Sequence, residues 1–281
     1  MTTFNFHRFT QALRCHLMVS RKSIVTLFGI GTLIMLMADL FFTRISFRNY
    51  DERVAQWGLQ TVIDTYQREV EASSVFAFFF FCIAMLLGAS MLFRQMKTTP
   101  QRSAFLTWPV SNLEKYVIAV LHHVVLMLLM AIAAIILADA LRVLLDWSTG
   151  RVVIWSFTMP FKNISWAEWQ QYWMFLTMMF YFHSLYIVGG TLFRRQQFLL
   201  TSITIFVVSI LLMMLLNQFS WDGFEMTTGT WDEKTLTYTR IYYPAFYIVC
   251  IVGNLLIAFH YWASYKLFCR MQVINNKWLN V

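Results

Sequence analysis

The sequence predicts an all-α integral membrane protein, a single transmembrane domain of six helices with both termini in the cytoplasm. Of its 281 residues, 59% are hydrophobic and only 13% are charged, whereas soluble domains carry about 25% charged residues. The apolar residues are gathered in six stretches, each about 19 to 26 residues long, and about 20 apolar residues let a helix cross the hydrocarbon core. These stretches are residues 24–43, 74–93, 116–141, 172–193, 198–216 and 243–265.

The loops between these stretches alternate in charge. When the N-terminus is placed in the cytoplasm, the inner segments carry most of the Lys and Arg residues and a single acid, Glu114, whereas the outer segments carry more acids than bases. The inner segments are 1–23, 94–115, 194–197 and 266–281, and the outer segments are 44–73, 142–171 and 217–242. The excess of basic residues in the inner segments predicts the orientation in the membrane, with both termini in the cytoplasm. It also explains the net charge of +8, which therefore does not indicate a nucleic-acid partner.

Residues 1–23 form an amphipathic leader before the first stretch. Phe6, Phe9, Leu13 and Leu17 recur at helical spacing, with basic residues mostly between them. The pattern predicts a separate elbow helix lying in the inner interface, and an ordinary basic flank of the first span is the alternative. The first apolar stretch has spanning length, so we expect it to remain as an anchor rather than to be removed as a signal peptide.

The second and fourth stretches end in a similar way at the inner face. Gly88 precedes the basic residue Arg94, and the pair Gly189–Gly190 precedes Arg194. Small residues let helices approach closely in a membrane, so we expect close helix contacts at these glycines. The two ends are similar because small residues followed by a basic residue are a common way to end a helix at the cytoplasmic face. An internal duplication is the alternative explanation.

Tryptophan concentrates in the predicted outer loops and at the outer ends of the helices. Indole rings favour the boundary between water and lipid, so we expect these loops to contact membrane lipid. The eight tryptophans at such positions are Trp57, Trp147, Trp155, Trp166, Trp169, Trp173, Trp221 and Trp231.

Four polar residues within the predicted spans are candidate functional residues, because ionisable groups are costly inside a membrane. Asp39 and Asp139 lie near the outer ends of the first and third spans, where they can reach the interface. An outer gate or a cation-attracting vestibule is the alternative. His122 lies near the inner end of the third span and His183 near the middle of the fourth. A histidine hydrogen-bonded between helices is the usual case, and substrate or proton handling is the alternative at His183.

Motifs of membrane enzymes are absent from the sequence. It contains no G-x-S-x-G elbow, no H-E-x-x-H zinc helix and no Walker A motif. His122 and His123 are adjacent, so on an α-helix they point about 100° apart and cannot hold a metal from one face. The four cysteines lack zinc-type spacing, and none lies in an outer loop. The sequence therefore predicts no catalysis and no cofactor, and any ATP must be hydrolysed by another chain.

The inner segment between the second and third stretches is the most informative one. It is long and is marked by Pro100 and Pro109. Ser111 followed by Glu114 predicts a capping box at the start of the next helix, so we expect a defined helix start. Several large apolar side chains here need cover from headgroups or a partner protein. The candidate residues are Arg94, Lys97, Arg102, Phe105, Leu106, Trp108, Pro109, Ser111, Glu114 and Lys115.

Residues 105–116 resemble a stretch that ABC-2 type transporter permeases often carry after their second span, F-L-x-L-P-x-S-x-x-E-K-[FY]. The chain departs from it at Trp108, where the family usually has leucine. The leader resembles the elbow helix of the family, and the six-span layout is similar along the whole chain. The tail, residues 275–280, also resembles the family, with a pattern of low specificity.

The resemblance implies the membrane subunit of an ATP-driven exporter in a bacterial inner membrane. A separate cytoplasmic ATP-binding cassette subunit would dock beneath it, with the loop around residues 94–115 as the coupling element. A second copy of the chain, or a related permease, would complete the pathway. The cargo would be a peptide, lipid, drug or glycan precursor.

Three other classes stay open on the sequence alone. An ion- or proton-coupled secondary transporter needs polar groups near the midplane and broken helices, and only His183 points that way. A membrane enzyme whose catalytic residues come from different helices would carry no local motif. A non-transporting sensor or assembly subunit would bind an ATPase without moving cargo.

Overall fold

The structure is a computed structural model. It describes residues 4–45, 47–93, 96, 98–158, 169–193, 196–216, 227–232, 237–242 and 244–270.

The predicted all-α membrane fold is confirmed. Six helices are long and apolar enough to cross a membrane, and each overlaps one of the six predicted stretches. The chain is therefore a multi-pass membrane protein. The six candidate spans are Phe6–Ile45, Leu59–Ser90, Asn112–Ser148, Tyr172–Leu192, Gln197–Leu215 and Phe246–Cys269.

The helices and strands are numbered in chain order. A π-helix, Phe41–Ile45, continues α1, and another, Leu121–Leu126, joins α5 to α6. The elements are α1 (Phe6–Leu40), α2 (Tyr50–Trp57), α3 (Leu59–Ser90), α4 (Thr99–Leu106), α5 (Asn112–Val120), α6 (Met127–Ser148), α7 (Trp169–Leu192), α8 (Gln197–Leu216), β1 (Thr227–Asp232), β2 (Thr237–Tyr242) and α9 (Pro244–Cys269).

The chain divides into two compact units. The first comprises Met1–Gly88 and Pro109–Ala167, and the second comprises Ala89–Trp108 and Glu168–Val281. The first unit thus contains α1, most of α3 and the α5–α6 helix, whereas the second contains α4, α7, α8 and α9.

In the first unit, α1 runs parallel to the helix that α5 begins. Arg8 contacts Glu114 and His16 contacts His122, so both pairs are separated by the same 106 residues in sequence. Two contacts at one constant offset require two helices that run side by side in the same direction over at least two turns.

Two clusters of buried side chains stabilise this unit. One lies between α1, α3 and α6, where small residues let the helices approach each other. It is formed by Met35, Ala77 and Ala138, with Leu36, Phe80 and Ile135 packed against it. The other lies around the start of α3 and is formed by Phe47, Tyr50, Val62, Tyr66 and Val70, with Val54, Val152 and Ile154 at its edge.

The structure corrects the prediction of a separate elbow helix in residues 1–23. The leader is helical, but α1 continues without a break from Phe6 to Leu40 and so joins the leader to the first span. No glycine or proline occurs between Phe6 and Lys22, so no residue in this stretch interrupts the backbone hydrogen bonds of the helix. The interfacial position of the leader stays a prediction.

Two helices also extend past the predicted spans. α3 begins at Leu59 rather than at residue 74, and α6 ends at Ser148 rather than at residue 141. The added turns contain charged residues, and a span predicted from hydropathy ends where charged residues begin although the helix itself continues.

An antiparallel hairpin of β1 and β2 was not predicted. Thr227 pairs with Tyr242, and Asp232 pairs with Thr237. The strands are rich in threonine and aromatic residues, which favour extended backbone. The hairpin belongs to the loop between α8 and α9, so the spans themselves remain helical.

In the second unit, α7 and α9 are joined by hydrogen bonds between polar side chains. Thr191 Oγ1 lies 2.9 Å from Ser264 Oγ, and Ser184 Oγ lies 2.9 Å from His260 Nδ1. Such interhelical bonds are typical of helix packing in membranes.

The predicted close contacts at the glycines are confirmed. A Cβ on Gly190 would lie 2.8 Å from the carbonyl oxygen of Ser90 and 3.0 Å from that of Ala89. In the first unit, a Cβ on Gly88 would overlap the carbonyl oxygen of His123. Only a residue without a side chain fits at either position, because the neighbouring atoms are backbone.

Candidate functional site

The segment that we predicted as a coupling element contains an ordered short helix. α4 begins at Thr99, with Pro100 in its first turn, and ends at Leu106. Proline fits this position because the first turn of a helix leaves its backbone N–H groups unbonded in any case. Arg94 and Lys97 lie outside the residues that the structure describes.

The aromatic residues of this segment are partly covered by the protein itself. Phe105 is buried, and its ring centroid lies 5.6 Å from that of Trp108 and 6.2 Å from that of Phe268. Arg102 is buried as well, and Leu106 and Trp108 are half-buried. Packing within the second unit therefore covers apolar side chains for which we expect cover from headgroups or a partner protein.

The predicted capping box at the start of α5 is confirmed. The backbone N–H of Glu114 donates to Ser111 Oγ at 3.3 Å, and the backbone N–H of Ser111 donates to Glu114 Oε2 at 2.7 Å. Two backbone N–H groups that the helix cannot bond internally are thus satisfied.

The Glu114 carboxylate also binds the start of α1. Arg8 donates from Nε to Oε2 at 3.0 Å and from Nη2 to Oε1 at 2.7 Å, which is a two-pronged ion pair. The backbone N–H of Asn5, the N-cap of α1, donates to Oε1 at 2.7 Å. The side chain of Glu114 is fully buried, so this acid joins two helix starts and is not open to a partner. Lys115 beside it is buried too.

Among the described residues of α4 and the turn after it, the exposed side chains are uncharged. Between residues 100 and 110, the exposed positions are Pro100, Gln101, Ala104, Thr107 and Pro109. Residues Gln101, Ala104 and Thr107 follow one another at three-residue steps, which places them on one side of the helix. A partner that reaches α4 would meet that side rather than Arg102, Glu114 and Lys115, which are buried.

Substituting Ser111 tests the cap. We expect Ser111→Ala to lower the free energy of unfolding by about 1 kcal/mol, because the Glu114 N–H loses its acceptor. Ser148→Ala is the control, since Ser148 is exposed at the other end of the same span, and we expect a change within about 0.5 kcal/mol. Equal losses in both variants, measured by equilibrium unfolding of the purified chain in detergent, would contradict this role of Ser111.

A mostly buried set of charged and polar side chains lies at the opposite end of the first unit. We name it the aspartate–arginine cluster, and it consists of Arg44, Tyr66, Asp139, Arg142 and Asp146. Arg142 bonds Asp139 at 2.6 Å and Asp146 at 2.7 Å. Asp146 also accepts from the Tyr66 hydroxyl at 2.5 Å and pairs with Arg44 at 3.0 Å. The cluster therefore joins α3, α6 and the π-helix that follows α1.

The two aspartates that we predicted at the outer interface are buried instead. Asp39 is 1% exposed and Asp139 is fully buried. The second carboxylate oxygen of Asp139 accepts from the backbone N–H groups of Ser156 and Phe157 at 2.9 and 3.2 Å, and Asp39 accepts from the Ser73 hydroxyl. Asp139 is ion-paired with Arg142 and hydrogen-bonded, and Asp39 is hydrogen-bonded by Ser73, so the fold encloses both carboxylates.

Arg142 is the site residue that sequence reasoning missed. We ended the third span at residue 141 and placed Arg142 in an outer loop. It follows Asp139 by three residues and precedes Asp146 by four, and pairs of opposite charge at these spacings meet on a helix. That spacing is the signal in the sequence that could have identified Arg142 as the partner of both aspartates.

His183 lies in the second unit and is 1% exposed. Its Nδ1 is 3.3 Å from the Tyr261 hydroxyl, and its Nε2 has no hydrogen-bond partner within the described part of the chain. His122 lies in the first unit, with its Nδ1 2.8 Å from Nε2 of His16. The structure thus places the two predicted histidines in different units.

No family model, curated protein or solved structure matches this chain. Its function is therefore argued from the geometry above. Two features stand out: a short helix with an open uncharged face between the second and third spans, and a fully paired ionic cluster that stabilises the first unit.

Proposed function

We propose that this chain is the permease subunit of an ABC-2 type, ATP-driven exporter in a bacterial inner membrane. It would form the translocation path and leave ATP hydrolysis to a separate cytoplasmic subunit. The observation that supports this best is α4, a helix outside the six candidate spans whose open face lies next to the stretch that resembles the family.

The segment has the connections that a coupling element needs. The chain passes from the second unit to the first between Trp108 and Pro109. Directly after that point, the Ser111–Glu114 cap begins the third span and binds Arg8 at the start of α1. A displacement of α4 by a docked ATPase would reach two spans through this single carboxylate. ATP would drive transport if the ATPase binds one arrangement of the segment better than the other.

Two partners follow from this proposal. One is an ATP-binding cassette subunit on the cytoplasmic face, and the other is a second copy of the chain or a related permease that completes the pathway. The proposed cargo is an amphipathic molecule such as a peptide, lipid, drug or glycan precursor, which would suit the tryptophan-rich outer loops.

The test changes the open face of α4 without touching its buried residues. We expect the double variant Gln101→Glu, Thr107→Glu to co-purify at least tenfold less of an ATP-binding cassette subunit than the unmodified chain does, and to lose ATP-dependent export from proteoliposomes. The matched control is Gln60→Glu, Thr61→Glu, because these two residues are equally exposed but lie at the other end of the second span. The free energy of unfolding should stay unchanged in both variants.

The outcomes separate the proposals. If no ATPase co-purifies with the unmodified chain, or if the α4 variant binds and transports normally, the coupling role is wrong. Transport that needs an ion gradient and no ATPase would favour a secondary transporter. The observation that favours this second candidate function is His183, which is buried and whose Nε2 has no hydrogen-bond partner among the described residues, because buried ionisable groups in spans mark ion and proton pathways.

A further inference from the structure

Three histidine side chains from two helices meet inside the first unit. His16 comes from α1, and His122 and His123 come from the π-helix between α5 and α6. Nε2 of His16 lies 2.8 Å from Nδ1 of His122, and one ring nitrogen of each of the three residues lies within 4.8 Å of the others. His16 is buried, and the other two are half-buried.

The π-helix makes this arrangement possible. We expected adjacent histidines on an α-helix to diverge by about 100°, but the wider turn of a π-helix changes the direction of successive side chains. The ring centroids of His122 and His123 are 4.4 Å apart, and His16 meets His122 edge to face at 4.6 Å. π-Helical turns inside α-helices frequently occur at functional sites.

We propose that His16, His122 and His123 form a binding site for a late transition-metal ion such as Zn²⁺. Neutral imidazoles are suitable ligands for zinc, copper and nickel, whereas Mg²⁺ and Ca²⁺ need oxygen ligands. Three protein ligands leave one position of a tetrahedral zinc ion open. Within the described part of the chain, this is the only group of three His, Cys, Asp or Glu residues close enough to share an ion.

Binding zinc requires the three rings to adjust, and the ligand nitrogens, which now lie within 4.8 Å of one another, must reach the spacing of a tetrahedral ion. Tetrahedral bonds of 2.0–2.1 Å place ligand nitrogens about 3.3 Å apart, so His16 and His122 must separate by about half an ångström. In the His16–His122 hydrogen bond, one of the two facing nitrogens carries a proton and therefore cannot bind a metal. In that ring the proton must move to the other ring nitrogen, which is the ordinary tautomer exchange of a neutral imidazole. The bound ion would join α1 to the third span, eight residues along both helices from the Arg8–Glu114 pair.

Metal content of the full chain tests this proposal. The protein is purified with a tag that lacks histidine, treated with EDTA, dialysed against ZnCl₂ and then against metal-free buffer. We expect one zinc per chain by mass spectrometry, and Co²⁺ in place of Zn²⁺ should give the visible absorption bands of a tetrahedral site. His16→Gln, His122→Gln and His123→Gln should each weaken zinc binding at least tenfold.

His7→Gln is the matched control, because His7 is exposed on the same helix as His16, and we expect it to leave zinc binding unchanged. The zinc content and cobalt spectrum of the wild-type protein test the proposal even if a variant fails to fold. Less than a tenth of a zinc per wild-type chain, no cobalt bands, or equal zinc binding by the wild type and a folded variant would overturn it. None of these measurements depends on transport or on an ATPase.

Discussion

Replacing Arg142 by alanine is expected to lower the free energy of unfolding by about 3–5 kcal/mol, the usual cost of removing one partner from a buried ion pair. Asp139 would lose the only basic side chain with which it forms an ion pair in the described part of the chain. Asp146 would keep Arg44 as its ion-pair partner, together with the Tyr66 hydroxyl. Both carboxylates are fully buried, so water cannot replace the lost guanidinium. We expect little monodisperse protein after extraction, and a greatly lowered midpoint of thermal unfolding.

Two further variants separate charge from packing. Arg68→Ala is the control, since Arg68 is exposed on α3 in the same unit, and we expect a change within about 0.5 kcal/mol. The triple variant Asp139→Asn, Arg142→Met, Asp146→Asn removes all three charges together. It should recover most of the lost stability, because replacing a whole buried ionic group costs far less than leaving part of it unpaired. Equal stability of the Arg142 and Arg68 variants would contradict the role of the cluster.

Adding one methyl group at Gly190 is expected to cost about 1–3 kcal/mol of unfolding free energy, which is typical of overpacking. The new Cβ would lie 2.8 Å from the carbonyl oxygen of Ser90, and a backbone atom cannot rotate away as a side chain can. Gly190→Leu should have a larger effect still. The measurement is equilibrium unfolding of the purified chain in detergent micelles.

The chain offers a matched control in Gly29. It also lies inside a helix, but no atom lies within 4 Å of the position that its Cβ would occupy. Gly29→Ala should therefore leave the stability unchanged or raise it by up to about 1 kcal/mol, because alanine is the better helix former. If both alanine variants unfold like the wild type, Ser90 and Gly190 are not in close backbone contact.

The features that sequence reasoning predicted correctly depend on neighbouring residues. The six spans follow from unbroken apolar length, and the cap of α5 follows from Ser111 and Glu114 at the spacing of a capping box. The close approach at Gly88 and Gly190 follows from residue size. Each of these signals lies within one stretch of chain.

The features that it missed depend on distant residues or on the exact helix geometry. Nothing local indicates that Arg8 pairs with Glu114, since 106 residues separate them. The charge pattern around Arg142 was visible in the sequence, but its burial depends on Tyr66 from another helix. The histidine group required both a π-helical turn and the parallel pairing of α1 with the third span.

The sequence by itself determined that this chain crosses a membrane six times and where its third span begins, because the cost of exposing polar backbone to lipid forces each long apolar stretch into a helix. Only the tertiary structure decided which charged groups are available for function. Asp39, Asp139 and Glu114 looked accessible at the ends of their spans, but helix packing encloses them. A carboxylate enclosed in this way must be hydrogen-bonded or ion-paired, and part of its partners come from other helices or distant segments: Ser73 for Asp39, Ser156 for Asp139 and Arg8 for Glu114.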